Sequence, residues 1–456
     1  MSEFEFLLLA LAKWKTLGAL SVAFVVILYL SIRRVVAGGI FDPMMLTLVA
    51  GYSVNYAVVA LLYLNDLASG YLTLLVFAYG LTLIGVYRRV SRGHGRSSLL
   101  AAVWAVAPRS RGPTAFAISL GIYLLLSLYV ISSIGFGIFS ETNRFDAAAG
   151  FGSYIRVLDL LSPFIVGYST LHIHAQRRRR RVKIAGLALF IGYAAMVSGA
   201  KISVILSLLT VFFTLSLVVP NLRVRATVAI PALVAGVAFS MLALSINLER
   251  NNIDESASAT DLAGAGFVVE RFLYRLIASG DTSYLLLPND VIDRIATDSA
   301  WIRFAAPLVG TGNITNLLGY PVGDYSVGRQ AVLYHDPSFD VFGGPTSHFD
   351  LFAYVYFGPF LGWFFVALLG WLLGTINRAV VTVKARMRAP INTYGVALLV
   401  TVWTRAVLMI VEPTVALAYL FDAFLYFGFL ALVLPSARSH ARAHPQRAGD
   451  QLQPAT

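Results

Sequence analysis

The segment NLERNNIDESASATD, from Asn247 to Asp261, opens the one long polar stretch of this chain, and DPSFDVFGGPTSHFD closes it at Asp350. Between Asn247 and His348 there are 12 acidic residues, six arginines and no lysine. Apolar runs of about 20 residues lie on both sides, and each is long enough to cross a bilayer as a helix. The sequence therefore predicts a large loop held on one side of a membrane by bundled helices.

The composition of the chain sets its broad class. Of its 456 residues, 58% are hydrophobic and 13% are charged, whereas soluble domains carry about 25% charged residues. The net charge of +12 comes from basic clusters between apolar runs, which is typical of cytoplasmic loops and not of a nucleic-acid surface. The absence of cysteine excludes disulfides and thiol catalysis. We expect a membrane protein without a nucleic-acid partner.

The predicted fold is an all-α polytopic membrane protein with about 11 transmembrane helices and a large extracytoplasmic loop that carries short amphipathic helices. The block of five arginines at Arg177–Arg181 fixes the cytoplasmic side, because such a block is costly to translocate. The predicted regions are an amino-terminal membrane region at 1–246, the loop at 247–348, a carboxyl-terminal membrane region at 349–435, and a basic, disordered cytoplasmic tail at 436–456.

Several cations stand where a buried or outward-facing anion could bind. Lys201 interrupts the apolar run Ile184–Val219, and a cation within a membrane helix marks a site unless it reaches the interface. Arg271 and Arg275 are one turn apart on a helix predicted over Phe267–Ile277, so both could contact one pyrophosphate or simply face solvent.

Two further arginines are ambiguous in the same way. Arg144 lies in a short outer loop and could be a solvated charge. Arg405 and Glu412 are seven residues apart in the penultimate span, which predicts a shared helix face. Each then needs a partner from another helix, and Asp422 is a candidate partner for Arg405. A structural buried pair is the alternative to a binding role.

His348 and Asp350 lie where the large loop enters a helix. A histidine there could accept a proton from a hydroxyl near neutral pH, and Gly343 and Gly344 allow a ligand close to the backbone. The alternative is a helix cap formed by Thr346 or Ser347, with an incidental histidine.

The loop-to-helix element GGPTSHFDLFAYVYFGPFLGWFFVALLGWLLG, Gly343–Gly374, resembles the carboxyl-terminal signature of the oligosaccharide repeat unit polymerases, the O-antigen polymerase (Wzy-like) family. SGAKIS, Ser198–Ser203, is similar to a turn in that family that is usually followed by arginine, so Lys201 is a departure. NRFDAAAGFG, which begins at Asn143, resembles the first periplasmic loop of the family.

The resemblance implies a metal-independent, cofactor-free glycosyltransferase at the outer face of the bacterial cytoplasmic membrane. It would polymerise oligosaccharide repeat units linked to undecaprenyl pyrophosphate. The partners implied are that lipid-linked substrate, the bilayer, and a chain-length regulator and flippase. In this reading Arg144, Lys201, Arg271, Arg275 and Arg405 bind pyrophosphate or substrate, and His348 and Asp350 are the catalytic residues, with no metal.

Two other functions are compatible with the sequence. An O-antigen ligase would use the same donor and differ only in its acceptor. A secondary transporter would have a similar number of spans, but such transporters often contain internal repeats, which this sequence lacks.

Overall fold

The computed structural model describes residues 1–93, 97–137, 150–176, 178–198, 203–219, 222, 238, 241–242, 244–245, 266–271, 280–339, 343–385 and 392–434. In these ranges the regular structure is helical, apart from one isolated bridge between Ala68 and Pro288. The main helices are α1 Glu3–Ala12, α2 Trp14–Ile32, α3 Tyr52–Leu64, α4 Gly70–Ser91, α5 Ser98–Val106, α6 Gly112–Ile134, α7 Gly152–Ala175, α8 Arg180–Ser198, α9 Ser203–Val218, α10 Asp281–Leu286, α11 Ala300–Val309, α12 Thr311–Leu318, α13 Val327–His335, α14 Phe349–Ala385, α15 Thr393–Ala406 and α16 Pro413–Val433.

Eight helical segments in the described residues are long and apolar enough to cross a membrane, which confirms the all-α, multi-pass class. They are Trp14–Ile32, Met45–Leu64, Gly70–Ser91, Arg109–Ile134, Arg180–Ser198, Phe349–Ala385, Thr393–Ile410 and Pro413–Val433. The other predicted spans correspond to the more polar α7, to the short α9, and to residues 226–246, which are mostly outside the described ranges. The count of 11 therefore stays a prediction.

Helices α4 and α14 run parallel and pack through glycines on α14. A Cβ atom at Gly370 would lie 2.8 Å from the main-chain oxygen of Leu83, and one at Gly374 would lie 2.7 Å from Cβ of Val90. Such distances are too short for any side chain, so glycine lets the two backbones approach closely. This use of small residues is typical of helix contacts in membranes.

α14 is kinked at Gly358, where the backbone leaves the helical region (φ 69°, ψ 178°), and Pro359 follows. Proline provides no N–H, so the kink frees carbonyl groups that need donors in an apolar surrounding. The Tyr79 hydroxyl on α4 lies 3.2 Å from the carbonyl oxygen of Gly358 and 2.9 Å from that of Pro359. The two carbonyls therefore share the one hydroxyl hydrogen of Tyr79, which fixes the position of the kink against α4.

The connection between α2 and α3 is irregular and runs between helices. Its carboxylate Asp42 is fully buried and accepts hydrogen bonds from the backbone of Gly38 and Met44 and from the Trp403 indole. Asn377 donates to the carbonyl of Val35, so α14 also supports this segment. Residues Met45–Gly51 then form a π-helix that leads into α3.

The described part of the predicted large loop is made of short helices that pack onto the membrane bundle. α10 contacts α1 and α3: Tyr284 stacks on Phe6 with ring centroids 4.2 Å apart, and the Ser283 hydroxyl donates to the Asn55 side chain over 2.7 Å. The Thr282 hydroxyl donates to the carbonyl of Thr346 over 2.6 Å. These contacts tie both ends of the loop segment 280–348 to the bundle.

We expect Gly370→Val to destabilise the protein because the added side chain must separate α4 from α14, at a cost of about 1–3 kcal/mol. The matched control is Gly428→Val on α16, where a Cβ atom would meet no atom within 4 Å. The measurement is the apparent melting temperature of the purified protein in detergent. Equal melting temperatures for the two variants would contradict this packing.

Candidate functional site

A cavity of about 370 Å³ lies among α6, α7, α8, α9, α15 and the start of the π-helix. Apolar side chains form most of its wall. Its charged lining residues are Asp159 and Arg405. Seven serine or threonine residues also line it: Thr47, Ser162, Ser198, Ser203, Ser207, Thr210 and Thr404. A cavity with an apolar wall, several hydroxyls, one guanidinium and one carboxylate can hold an amphipathic ligand with a polar or charged head.

Arg405 is positioned by α7 and α16. Its guanidinium donates a hydrogen bond to the main-chain oxygen of Asp159 and lies 4.6 Å from the centre of the Tyr419 ring. The Tyr419 hydroxyl in turn donates to Oδ2 of Asp159 over 2.9 Å. Arg405 forms no ion pair with a carboxylate in the described residues. Its direct partners are therefore a carbonyl dipole and an aromatic face, and the Asp159 carboxylate lies on the same cavity wall.

The partners expected for Arg405 are corrected by the structure. Asp422 pairs with Arg156 on α7, through two hydrogen bonds from the guanidinium. Glu412 does not share a helix face with Arg405, because α15 ends at Ala406, a 3₁₀ turn follows over Val407–Ile410, and Glu412 lies in the turn before α16. Spacing along the sequence could not anticipate where the helix ends.

Glu412 connects the carboxyl-terminal helices to the end of the large loop. Its Oε2 accepts a hydrogen bond from the backbone N–H of Ser347 over 2.8 Å, and Oε1 accepts one from the Thr414 hydroxyl over 3.3 Å. Burial raises the pKa of Glu412 to about 7, although these hydrogen bonds and the nearby Arg303 oppose the shift. Glu412 is thus a carboxyl group that can exchange a proton near neutral pH.

His348 and Asp350 lie together, and both are almost fully buried, at 3% and 1% exposure. The His348 ring lies against Tyr52 with centroids 5.1 Å apart, and its Nδ1 has no hydrogen-bond partner among the described groups. Burial lowers the pKa of His348 to about 4, so the ring is neutral at pH 7. Asp350 accepts a hydrogen bond from the Leu351 N–H over 2.8 Å, and Tyr52 interacts with the same carboxylate.

Neither His348 nor Asp350 lines the cavity, but one short segment connects the two places. Leu46 and Thr47 of the π-helix line the cavity, and Tyr52, which contacts His348, begins the helix that follows. π-Helical turns are rare and occur often at functional sites.

The other predicted binding residues are only partly within the described ranges. Arg144, Lys201 and Arg275 lie outside them, although Ser198 and Ser203, which border the segment that contains Lys201, both line the cavity. Helix α8 ends at Ser198 and α9 begins at Ser203. The guanidinium of Arg271 lies 5.1 Å from the centre of the Phe267 ring. A shared anion site for Arg271 and Arg275 stays a prediction.

Sequence reasoning missed three charged residues that shape the site. Arg156 and Asp159 are three residues apart in the otherwise apolar first half of α7, and that pattern of intramembrane charge could have identified them. Arg303 is the one charge in AWIRFAAPLV, and the structure buries it in an ion pair with Asp298.

A scan against protein-family models, a search of curated proteins and a search of solved structures each found no match to this chain. Within the described residues, no group of three or more histidine and acidic side chains has an arrangement that could hold a metal ion. The functional assignment therefore depends on the chain's own residues.

We expect His348→Gln to reduce the loss of stability at acidic pH. In the wild type the pKa of His348 falls from its ordinary value of 6.5 to about 4 on folding. As pH falls through this window, the unfolded chain binds a proton that the folded chain does not, which costs up to roughly 3 kcal/mol. Melting temperatures of both proteins between pH 4 and 8 should diverge below pH 6.5. Parallel curves would contradict a neutral buried imidazole.

Glu412→Gln should reduce the loss of stability that occurs as pH rises, whereas His348→Gln reduces the loss that occurs as pH falls. The pKa of Glu412 rises from 4.5 to about 7 on folding, so its contribution to stability is present below pH 4.5 and is lost as pH rises to 7. The variant should lack this loss, and its melting temperature should fall less than that of the wild type between pH 4.5 and 7.5. The same change for both proteins over that range would show that Glu412 is ordinarily ionised.

Proposed function

We propose that this chain is a membrane glycosyltransferase that polymerises lipid-linked oligosaccharide repeat units at the extracytoplasmic face of a bacterial cytoplasmic membrane. The observation that carries the proposal is the cavity, whose apolar wall, hydroxyl groups and Arg405 suit a polyprenyl pyrophosphate that carries a sugar. The resemblance of Gly343–Gly374 and Ser198–Ser203 to the O-antigen polymerase family supports the same class.

The reaction has simple requirements. The bond between the anomeric carbon of the donor glycan and a pyrophosphate oxygen breaks, and a bond to the acceptor hydroxyl oxygen forms. The acceptor proton passes to a base, and the polyprenyl pyrophosphate leaves with the electron pair of the broken bond. Cations stabilise the departing charge. Arg405 takes this role at the cavity, with Arg144, Lys201, Arg271 and Arg275 as further predicted donors.

Three acidic or basic side chains could accept the proton. His348 and Asp350 remain the predicted pair, and we add Glu412, because a base with a pKa near the working pH is the most effective. Glu412 has a pKa of about 7, while that of His348 is about 4. Glu412 does not line the cavity, but it lies two residues after the 3₁₀ turn Val407–Ile410, whose Leu408 does.

The test is the surface glycan profile of the source bacterium without this gene, on a gel that resolves chain length. Loss of long chains with retention of single attached repeat units would identify a polymerase. Loss of all attached glycan, with long lipid-linked polymer accumulating, would identify a ligase instead. An unchanged profile would reject both and favour a transporter.

Complementation with Arg405→Gln should fail to restore long chains, since loss of one positioned donor slows such reactions by about 10²–10³-fold. The matched control is Arg294→Gln, an exposed arginine in the loop region away from the cavity. It should restore the wild-type profile at equal protein level in the membrane. Full restoration of long chains by Arg405→Gln would show that Arg405 takes no part in the reaction.

A further inference from the structure

Helices α11 and α12 form a hairpin that turns at Gly310, where φ is 102°. The inner side of the hairpin has its own small core, in which Ala306, Ile314 and Val322 are buried together. The hairpin is therefore a folded unit within the loop region.

The hairpin is attached to two membrane-crossing helices. Phe304 packs edge-on against Phe352 and tilted against Phe365, both on α14, with ring centroids 5.7 Å and 6.3 Å apart. α11 also packs against α16. These contacts hold the hairpin beside the membrane bundle.

The remaining side of the hairpin exposes large apolar side chains. Trp301 is 83% exposed and Leu317 is 78% exposed. Leu308, Val309 and Leu318 are exposed as well. Together these five residues form the hairpin's apolar face.

This face lies in a stretch that has almost no charge. Among residues 300–318 the one ionisable side chain is Arg303. It is buried, forms an ion pair with Asp298 and donates a hydrogen bond to the carbonyl of Val322 over 2.7 Å. The surrounding loop has more acidic than basic side chains, whereas the stretch that exposes the apolar side chains contains no acidic residue.

Exposed apolar area of this kind marks an interaction site. The neighbouring helix α16 also exposes large apolar residues, among them Phe424, Phe429 and Leu432, as a helix in contact with lipid does. The apolar face is attached to that helix, and tryptophan is the residue typical of a membrane interface. A charged or polar surface on a partner would not provide apolar contacts for Trp301 and Leu317.

We propose that the α11–α12 hairpin lies in the membrane interface beside α16, with its apolar face inserted among the lipids of the same bilayer. The hairpin then belongs to the membrane-embedded part of the protein, although it lies within the predicted polar loop. The proposal does not depend on the glycosyltransferase function.

The test uses the full-length chain in nanodiscs made with ordinary or brominated phosphatidylcholine. Emission of Trp301 is obtained as the difference between the wild type and Trp301→Phe, which keeps an aromatic ring at the position. We expect this difference emission to be largely lost in brominated lipid and to resist quenching by aqueous iodide. Trp363→Phe is the lipid-facing control, since Trp363 is on α14 and 41% exposed, and Trp403→Phe is the buried control.

Each other outcome overturns the proposal. Quenching of the difference emission by iodide and not by brominated lipid would place Trp301 in water. Protection from both quenchers would mean that protein covers the face, and the mass of the particles would then separate a second copy of the chain from a different partner.

Discussion

Irregular backbone inside an apolar bundle must find hydrogen-bond partners, and this constraint organises the structure. At three irregular segments of the described residues, polar side chains supply such partners. Tyr79 lies at the two carbonyls of the α14 kink, Asp42 accepts from the connection between α2 and α3, and Glu412 accepts from Ser347 at the end of the loop. The bonds of Tyr79 and Glu412 join segments that are far apart in the chain, and Asp42 does the same through the bond that it accepts from Trp403. The polar groups that allow the irregular segments are therefore also those that hold the helices in register.

The cavity is separate from the buried titratable residues His348, Asp350 and Glu412, but two backbone segments connect the two places. The segment Met45–Tyr52 reaches from the cavity wall to His348, and the turn Val407–Glu412 reaches from the cavity wall to the Ser347 backbone. A ligand that shifts either segment would change the surroundings of a titratable group. The arrangement links the cavity to titratable groups, as the glycan transfer proposed above would require.

The charges in the bundle differ in how their burial is compensated. Arg156 and Asp422 neutralise each other, and so do Arg303 and Asp298, so both pairs can be explained by structure alone. Arg405 has a carbonyl and an aromatic ring in place of a carboxylate ion pair, and it faces a cavity. A cation compensated in this way can still attract an anionic ligand. Its place on the cavity wall distinguishes Arg405 from the other arginines of the described bundle.

The sequence by itself determined the membrane class, the all-helical architecture and the grouping of His348 with Asp350. These follow from hydrophobic length and from neighbouring positions, which are local properties of a chain. Only the tertiary structure decided that Asp422 pairs with Arg156, that Glu412 lies beyond the end of α15, and that Arg405 lines a cavity. It also decided that the hairpin beside α16 exposes an apolar face. Such features depend on how helices from distant parts of the chain meet, and the spacing of residues along one helix carries no information about its neighbours.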